Sequence, residues 1–251
     1  MEETKIGIIG FGRMGQMIAR LTETKNFEIS CVFDVKNVGT GIGNFIRTKN
    51  EVKISNIEDL DEILNETTPD VVIDFSSADA CVKNLKTVVK NKINAVIGTT
   101  GFSEEQKDEL KELIRENNIG AVISPNMSAG VNIFWKIIEE SGKMLKNYGF
   151  DVEITEAHHD QKKDAPSGTA KKMKEILKEI YNKEIPTHSI RLGTIPGTHE
   201  TIFAGYDEII EIKHIAYSRE IFANGALLAS EFIKGKKGIY NMQDVIKNRR
   251  D

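Results

Sequence analysis

The stretch Ile6-Gly-Ile-Ile-Gly-Phe-Gly-Arg-Met-Gly15 decides how the first half of this chain folds. Ile6–Ile9 reads as a buried strand. Gly10-Phe11-Gly12-Arg13-Met14-Gly15 then matches G-x-G-x-x-G where that pattern carries meaning, after a strand and at the opening of a helix predicted over Met14–Lys25. Gly10 permits the tight turn, Gly12 lets the backbone approach a pyrophosphate, and Gly15 lets helix and strand pack closely. The unpaired N–H groups of the helix end attract phosphates. Asp34 closes the next strand, Phe27–Phe33, 19 residues beyond Gly15, where an acid that hydrogen-bonds ribose hydroxyls belongs. Such an acid favours NADH. Lys36 is either a neutraliser of the 2′-phosphate of NADPH or a solvated loop lysine.

Working outward, short apolar strands alternate with helical patterns. Strands are predicted at Val71–Phe75, Ala95–Gly98 and Ala121–Ser124, with helices over Ala78–Asn91 and from Ser103 to about Glu116. Ser103 and Gln106 form a capping box at the start of the second of these. Strand–helix alternation with apolar strands implies a parallel sheet covered on both faces. Ligands in such sheets gather at the carboxyl ends of strands. Gly98-Thr99-Thr100 and Ser124-Pro125-Asn126-Met127 occupy those ends and are candidate cofactor contacts. Phe75, at the same level, is core or cofactor wall.

The rhythm changes after residue 128. Val131–Lys146 is helical, Asp151–Ala157 strand-like and Ser167–Ile180 helical. Strand signals punctuated by Gly193, Pro196-Gly197 and Gly205 fill 189–218, and Phe222–Lys234 returns to helix. The fold class is α/β: an N-terminal Rossmann-type doubly wound parallel sheet plus a smaller α+β domain with an open mixed sheet. The pattern gives a dinucleotide-binding domain over 1–127, followed by the α+β domain.

Composition bounds the function. The 251 residues are 39% hydrophobic and 29% charged with a net charge of −4, the balance of a globular protein with no overall pull toward nucleic acid. No apolar stretch is long enough to span a bilayer. The charged opening Met1-Glu-Glu-Thr-Lys5 does not read as a signal peptide. Cys31 and Cys81 lie in apolar surroundings without a C-x-x-C pattern, which points to a reducing, cytoplasmic setting and no structural disulfide.

The chemistry concentrates in Glu156-Ala-His-His-Asp-Gln-Lys-Lys-Asp-Ala-Pro-Ser-Gly-Thr169. His158, His159, Lys162 and Lys163 gather positive charge. Pro166 precedes a helix end at which Ser167, Gly168 and Thr169 present N–H groups and hydroxyls, an anion site. Histidine transfers protons near neutral pH. The residues alone describe an acid–base loop that binds a small dicarboxylate. Zinc binding by the paired histidines lacks a third ligand at a persuasive spacing, so no metal is expected. A capped helix under a surface loop is the remaining alternative.

This segment resembles the signature loop of the dihydrodipicolinate reductase (4-hydroxy-tetrahydrodipicolinate reductase) family. The likeness extends through Gly12-Arg-Met-Gly15, Gly98-Thr-Thr-Gly101, Pro125-Asn-Met-Ser128, Arg191-Leu-Gly-Thr-Ile-Pro-Gly-Thr-His199, Ser218-Arg219 and Phe222-Ala-Asn-Gly-Ala226. It implies NAD(P)H-dependent reduction of 4-hydroxy-tetrahydrodipicolinate to tetrahydrodipicolinate with loss of water, in the diaminopimelate route to lysine, by a homotetramer in which 219–251 returns to complete the dinucleotide-binding domain and 128–218 is the substrate-binding and oligomerisation domain. It also implies that His158 donates and accepts a proton and that Lys162 is a second donor. His159 would bind substrate, Gly168 and Thr169 would hold a carboxylate, and Gly10 to Gly15, Asp34, Gly98 to Thr100 and Ser124 to Met127 would contact the nucleotide. The glycine loop is one residue shorter than the common family form. Lys163 stands where many relatives have an uncharged residue, so Lys162 takes its role from register with His158 and Asp164.

Overall fold

The computed structural model describes residues 3–248. In chain order the elements are β1 (Thr4–Ile9), α1 (Arg13–Thr22), β2 (Phe27–Phe33), β3 (Ile54–Ser55), α2 (Leu60–Thr67), β4 (Val71–Asp74), α3 (Ala78–Lys90), β5 (Asn94–Ile97), α4 (Glu104–Asn117), β6 (Gly120–Ile123), α5 (Ala129–Lys146), β7 (Asp151–His158), α6 (Gly168–Tyr181), β8 (Thr187–Arg191), β9 (Gly197–Ala204), β10 (Ile209–Ala216), α7 (Glu220–Ile233), β11 (Gly238–Tyr240) and α8 (Met242–Lys247). The chain divides into two units. One runs through Ser128 and resumes at Phe222; the other is Ala129–Ile221.

The first unit is built on a seven-stranded sheet of order β11-β6-β5-β4-β1-β2-β3. Every pairing in it is parallel. Alternation along the strands sends side chains to two separate cores. Ile6, Ile8, Ile73, Val96 and Val122 join Ile18 of α1, Ala226 and Leu227 of α7 and Val245 of α8. Ile9, Val72, Ala95 and Ile97 join Leu64 of α2, Leu85 and Val88 of α3 and Leu110 and Ile114 of α4. Each such valine, leucine or isoleucine contributes about 1.5–3 kcal/mol when fully buried, so both faces must be covered. The strand order reverses direction at β1, flanked by β2 and β4, which opens a crevice at the carboxyl ends of those strands.

The predicted capping box is present: Ser103 accepts from Gln106 N, and the Gln106 side chain accepts from Ser103 N. α1 stops at Thr22, three residues short of the predicted end at Lys25. Four elements lie outside the sequence-based expectations: β3, α2, β11 and α8. β11 completes the sheet from the C-terminal side, and Asn94 fastens the turn that leads into it. Its amide donates to Ile233 O (2.6 Å) and Lys236 O (3.1 Å), while its Oδ1 accepts from Gly120 N (2.7 Å).

The second unit is a four-stranded mixed sheet of order β10-β9-β7-β8. β7–β9 and β9–β10 are antiparallel and β7–β8 is parallel. Its core joins Phe134, Trp135 and Ile138 of α5 and Met173 and Leu177 of α6 to Val152, Ile154 and Phe203 of the sheet. Because successive side chains alternate across a strand, Glu156 and His158 fall on the same inward face of β7 as Val152 and Ile154.

Candidate active site

The candidate residues fall in two groups, one in each unit. In the first unit they line the carboxyl ends of the parallel strands. Gly10 has φ +88°, and a Cβ there would lie 2.8 Å from Phe75 O. A Cβ at Gly15 would lie 2.2 Å from Gly10 O, so the turn closes only with glycine at that position. Gly12, by contrast, would meet nothing within 4 Å. It is the N-cap of α1, which has no side-chain cap and no acid in its first turn. The helix therefore presents bare N–H groups to open space, a cradle that fits a pyrophosphate. Arg13 is exposed on the first turn, whereas Met14 packs against the core. The Phe11 ring is buried and meets Phe45 edge to face at 6.0 Å.

Asp34 bridges the loops that end β1 and β2. Its Oδ2 accepts from Phe11 N at 2.6 Å and its Oδ1 from Lys36 N at 2.9 Å. A carboxylate accepts about four hydrogen bonds, which leaves capacity for ribose hydroxyls. The Lys36 side chain is exposed and has no ion-pair partner among the described residues. Phe75 packs on the first core, and its ring lies where a Gly98 side chain would be, with Cζ 2.2 Å from an ideal Cβ.

The two threonines after β5 differ. Thr99 is buried and donates to Asp74 Oδ1 at 2.9 Å, while Thr100 is exposed. Asp74 also accepts from Ser76 N, Ser76 Oγ and Asn84 Nδ2, so it is a buried hub that stiffens this rim. It is the fourth and last residue of β4, and no motif in the sequence marked it as that hub. Beyond β6, Ser124 is buried and donates to Asn126 O at 2.8 Å, Pro125 is exposed, Asn126 is half-buried, and Met127 is in the core. The α7 backbone crosses this loop so closely that a Cβ at Gly225 would lie 1.7 Å from Met127 O.

In the second unit the centre is a carboxylate that the sequence reading left without a role. Glu156 is fully buried. Arg191 grips it with two hydrogen bonds, NH1 to Oε2 at 2.9 Å and NH2 to Oε1 at 2.7 Å. Ser167 N donates to Oε1 at 3.2 Å, and His158 Nδ1 lies 2.5 Å from Oε2. Burial by itself would raise the Glu156 carboxyl; hydrogen bonds from Arg191, Ser189 and His158 outweigh it and hold the group down at about 2. Burial lowers the His158 imidazole below the ordinary histidine range, and Glu156 opposes that shift. The period-two alternation Val152, Ile154, Glu156, His158 was the signal that could have found this pair.

Arg191 NH2 also donates to Asp164 O at 2.6 Å, tying the loop to the same carboxylate. Lys162 and Lys163 part company here. Lys162 is half-buried with Nζ 2.7 Å from Asp164 Oδ1, and Lys163 is exposed. His159 is half-buried just past β7. The Ala165–Pro166 peptide is cis.

Ser167 is the N-cap of α6 and lies outside the helix, accepting from Ala170 N at 3.2 Å. It also shares a hydrogen bond of 2.9 Å with His199 Nε2. Burial, then the charge of His158, pushes His199 down to about 3, so that imidazole is neutral. Gly168 opens the helix on open space, with Thr169 half-buried beside it. Among the described residues, no group of three His, Cys, Asp or Glu side chains is placed to hold a metal ion. No helix among them is long and apolar enough to cross a membrane.

This arrangement can bind a carboxylate at a helix end, deliver a proton from an oriented imidazole, and hold a dinucleotide on a glycine loop. Comparison with known proteins agrees. Residues 4–127 match the family described as dihydrodipicolinate reductase, N-terminus, and residues 130–246 match dihydrodipicolinate reductase, C-terminus. The chain is 45% identical to the 4-hydroxy-tetrahydrodipicolinate reductase of Methanocaldococcus jannaschii, over 96% of this chain and 97% of that one. It is also 45% identical to the enzyme of the same name from Methanosarcina barkeri, over 94% and 95%. Among solved structures, the dipicolinate-bound dihydrodipicolinate reductase from Paenisporosarcina sp. TG-14 superposes with a TM-score of 0.79 at 26% identity, covering 95% of this chain and 97% of that one.

Proposed function

This chain belongs to the dihydrodipicolinate reductase family, and from that premise we propose that it reduces 4-hydroxy-tetrahydrodipicolinate to tetrahydrodipicolinate, with loss of water, in lysine biosynthesis by the diaminopimelate pathway. The observation that carries the reading is the pairing of an oriented histidine, His158, with a carboxylate-binding helix end at Ser167, Gly168 and Thr169. The first unit and the C-terminal return form the nucleotide domain, and Ala129–Ile221 forms the substrate domain.

When bound, the pyridine nucleotide would supply the hydride; Gly10 to Gly15, Asp34, Gly98 to Thr100 and Ser124 to Met127 would hold and orient it. Reduction of a conjugated imine leaves an electron-rich enamine, and His158 protonates its carbon. Lys162 supplies a second proton. His159 with the N–H groups of Gly168 and Thr169 holds a substrate carboxylate, and the positive helix end stabilises the charge that develops.

NADH and NADPH both serve. Asp34 retains acceptor capacity for a free ribose, while the unpaired ammonium of Lys36 and the exposed Arg13 offset repulsion of a 2′-phosphate. The enzyme acts as a cytoplasmic homotetramer. Ile190, Ile209 and Ile215, exposed on the sheet face opposite α5 and α6, support burial against further copies. The test is to supply the imine from its synthase with each nucleotide. Oxidation of NADH and NADPH above the synthase-only rate is expected, and its absence with folded protein overturns the reading. His158→Gln lowers turnover by about 10²–10⁴-fold with nucleotide affinity unchanged.

A further inference from the structure

We propose that Glu156 is a positioning residue: it fixes the tautomer of His158 so that Nε2 faces the reaction, and it joins that imidazole to the carboxylate-holding end of α6. The inference deepens the function proposed above and rests on it.

Geometry carries the argument. A carboxylate offers about four acceptor sites, and each oxygen of Glu156 meets at least two partners. Oε1 accepts from Arg191 and from Ser167 N; Oε2 accepts from Arg191 and meets His158 Nδ1. An ionised carboxylate can only accept, so Nδ1 carries the hydrogen in that contact. Nε2 is left as the working nitrogen. It faces Gly197, where a side-chain carbon would stand only 3.1 Å from it. The missing side chain keeps that edge of the ring uncovered.

The bidentate Arg191 grip stops the carboxylate from rotating. The third contact, to the amide of the α6 N-cap, means that the proton donor and the substrate-holding amides share one rigid anchor. In the transfer, the Nε2–H bond breaks as the C–H bond forms at the enamine carbon. The N–H electron pair stays on the ring, which becomes neutral with its hydrogen still on Nδ1, and a solvent proton restores the cation. Glu156 stabilises that cation. Burial, Lys162 in the following loop and Arg191 on β8 oppose it, while His199 on β9, whose ring centroid is 5.1 Å away, is neutral. Without the carboxylate, His158 would be protonated only at lower pH.

The test uses the full chain, labelled with ¹⁵N in histidine. Glu156→Gln alone strands the Arg191 charge and can fail to fold, so the double variant Glu156→Gln/Arg191→Met is made beside it to restore charge balance. Nitrogen shifts and proton couplings report the tautomer directly and need no turnover. In the wild type, neutral His158 is expected as the Nδ1–H form. In the folded double variant the Nε2–H form becomes populated, kcat falls by about 10²–10⁴-fold, the alkaline limb of the pH–rate profile moves to lower pH, and the nucleotide KM is unchanged. A wild-type Nε2–H tautomer overturns the proposal. So does a folded double variant that keeps the wild-type tautomer, or one whose rate falls equally at every pH. If the wild type fails to reduce the imine, the functional reading falls while the tautomer measurement still decides the role of Glu156.

Discussion

Lys162 and Lys163 are adjacent and alike in sequence, yet the structure gives them unequal surroundings, and replacing each by methionine separates them. Lys162 is 23% exposed and holds its ammonium 2.7 Å from Asp164, in the loop that Arg191 ties to Glu156. Lys163 is exposed. A hydrogen bond from a charged donor contributes about 1.5–3 kcal/mol, and about 1.4 kcal/mol is a factor of ten in rate. Lys162→Met should therefore lower kcat/KM by about 10–150-fold. The loss to folding is small, because a partly exposed ion pair contributes about 0–1 kcal/mol. Lys163→Met, away from such contacts, should stay within about 0.5 kcal/mol of wild type in both respects. Initial rates of nucleotide oxidation on synthase-supplied imine measure the first effect, and thermal unfolding followed by circular dichroism checks the second. A Lys163→Met loss equal to or greater than that of Lys162→Met would refute the reasoning, because it would mean that register with Asp164 does not select the working ammonium.

Asn94→Ala strands two carbonyls and an amide in the first core; with each unsatisfied buried group costing about 1–3 kcal/mol, the denaturation midpoint should fall clearly, which urea titration measures. Gly98→Ala places a methyl on the Phe75 ring, so nucleotide affinity, read by fluorescence titration, should weaken more than the imine KM. Acid should destabilise the fold in two stages. His199 is held neutral at about 3 in the folded state, so as pH falls below its unfolded pKa of about 6.5 the unfolded chain binds a proton that the folded one refuses. Glu156, ionised down to about 2, adds a further loss as pH falls below about 4.3. His199→Gln should shrink the upper stage in urea titrations at stepped pH, leaving the smaller share of His158 and His214, which burial also lowers; persistence of the full upper stage would place its origin elsewhere.

The glycine loop, the capping box of α4 and the N-cap of α6 were legible because each depends on the conformation of a few consecutive residues. Gly10 must reach positive φ and Gly15 must clear a carbonyl, and no distant partner alters those demands. Asp34 was legible for a related reason, since one strand length fixes its distance from the loop. The short strand β3 and the C-terminal pair β11 and α8 left too little periodic signal to be read. β11 has three residues, and it exists as a strand because β6 pairs with it and Asn94 ties the turn before it.

The sequence by itself therefore determined the class of fold, the nucleotide loop and the presence of a histidine–lysine loop at a helix end, all from local stereochemistry and hydrophobic period. Tertiary structure alone decided which lysine turns inward, and that Thr99 is spent on Asp74 while Thr100 is exposed. It also decided that Glu156 stands between Arg191, His158 and Ser167. Those partners lie up to 35 residues away along the chain. Sheet register and the docking of α6 set their meeting, and both are settled by burying apolar surface far from the site.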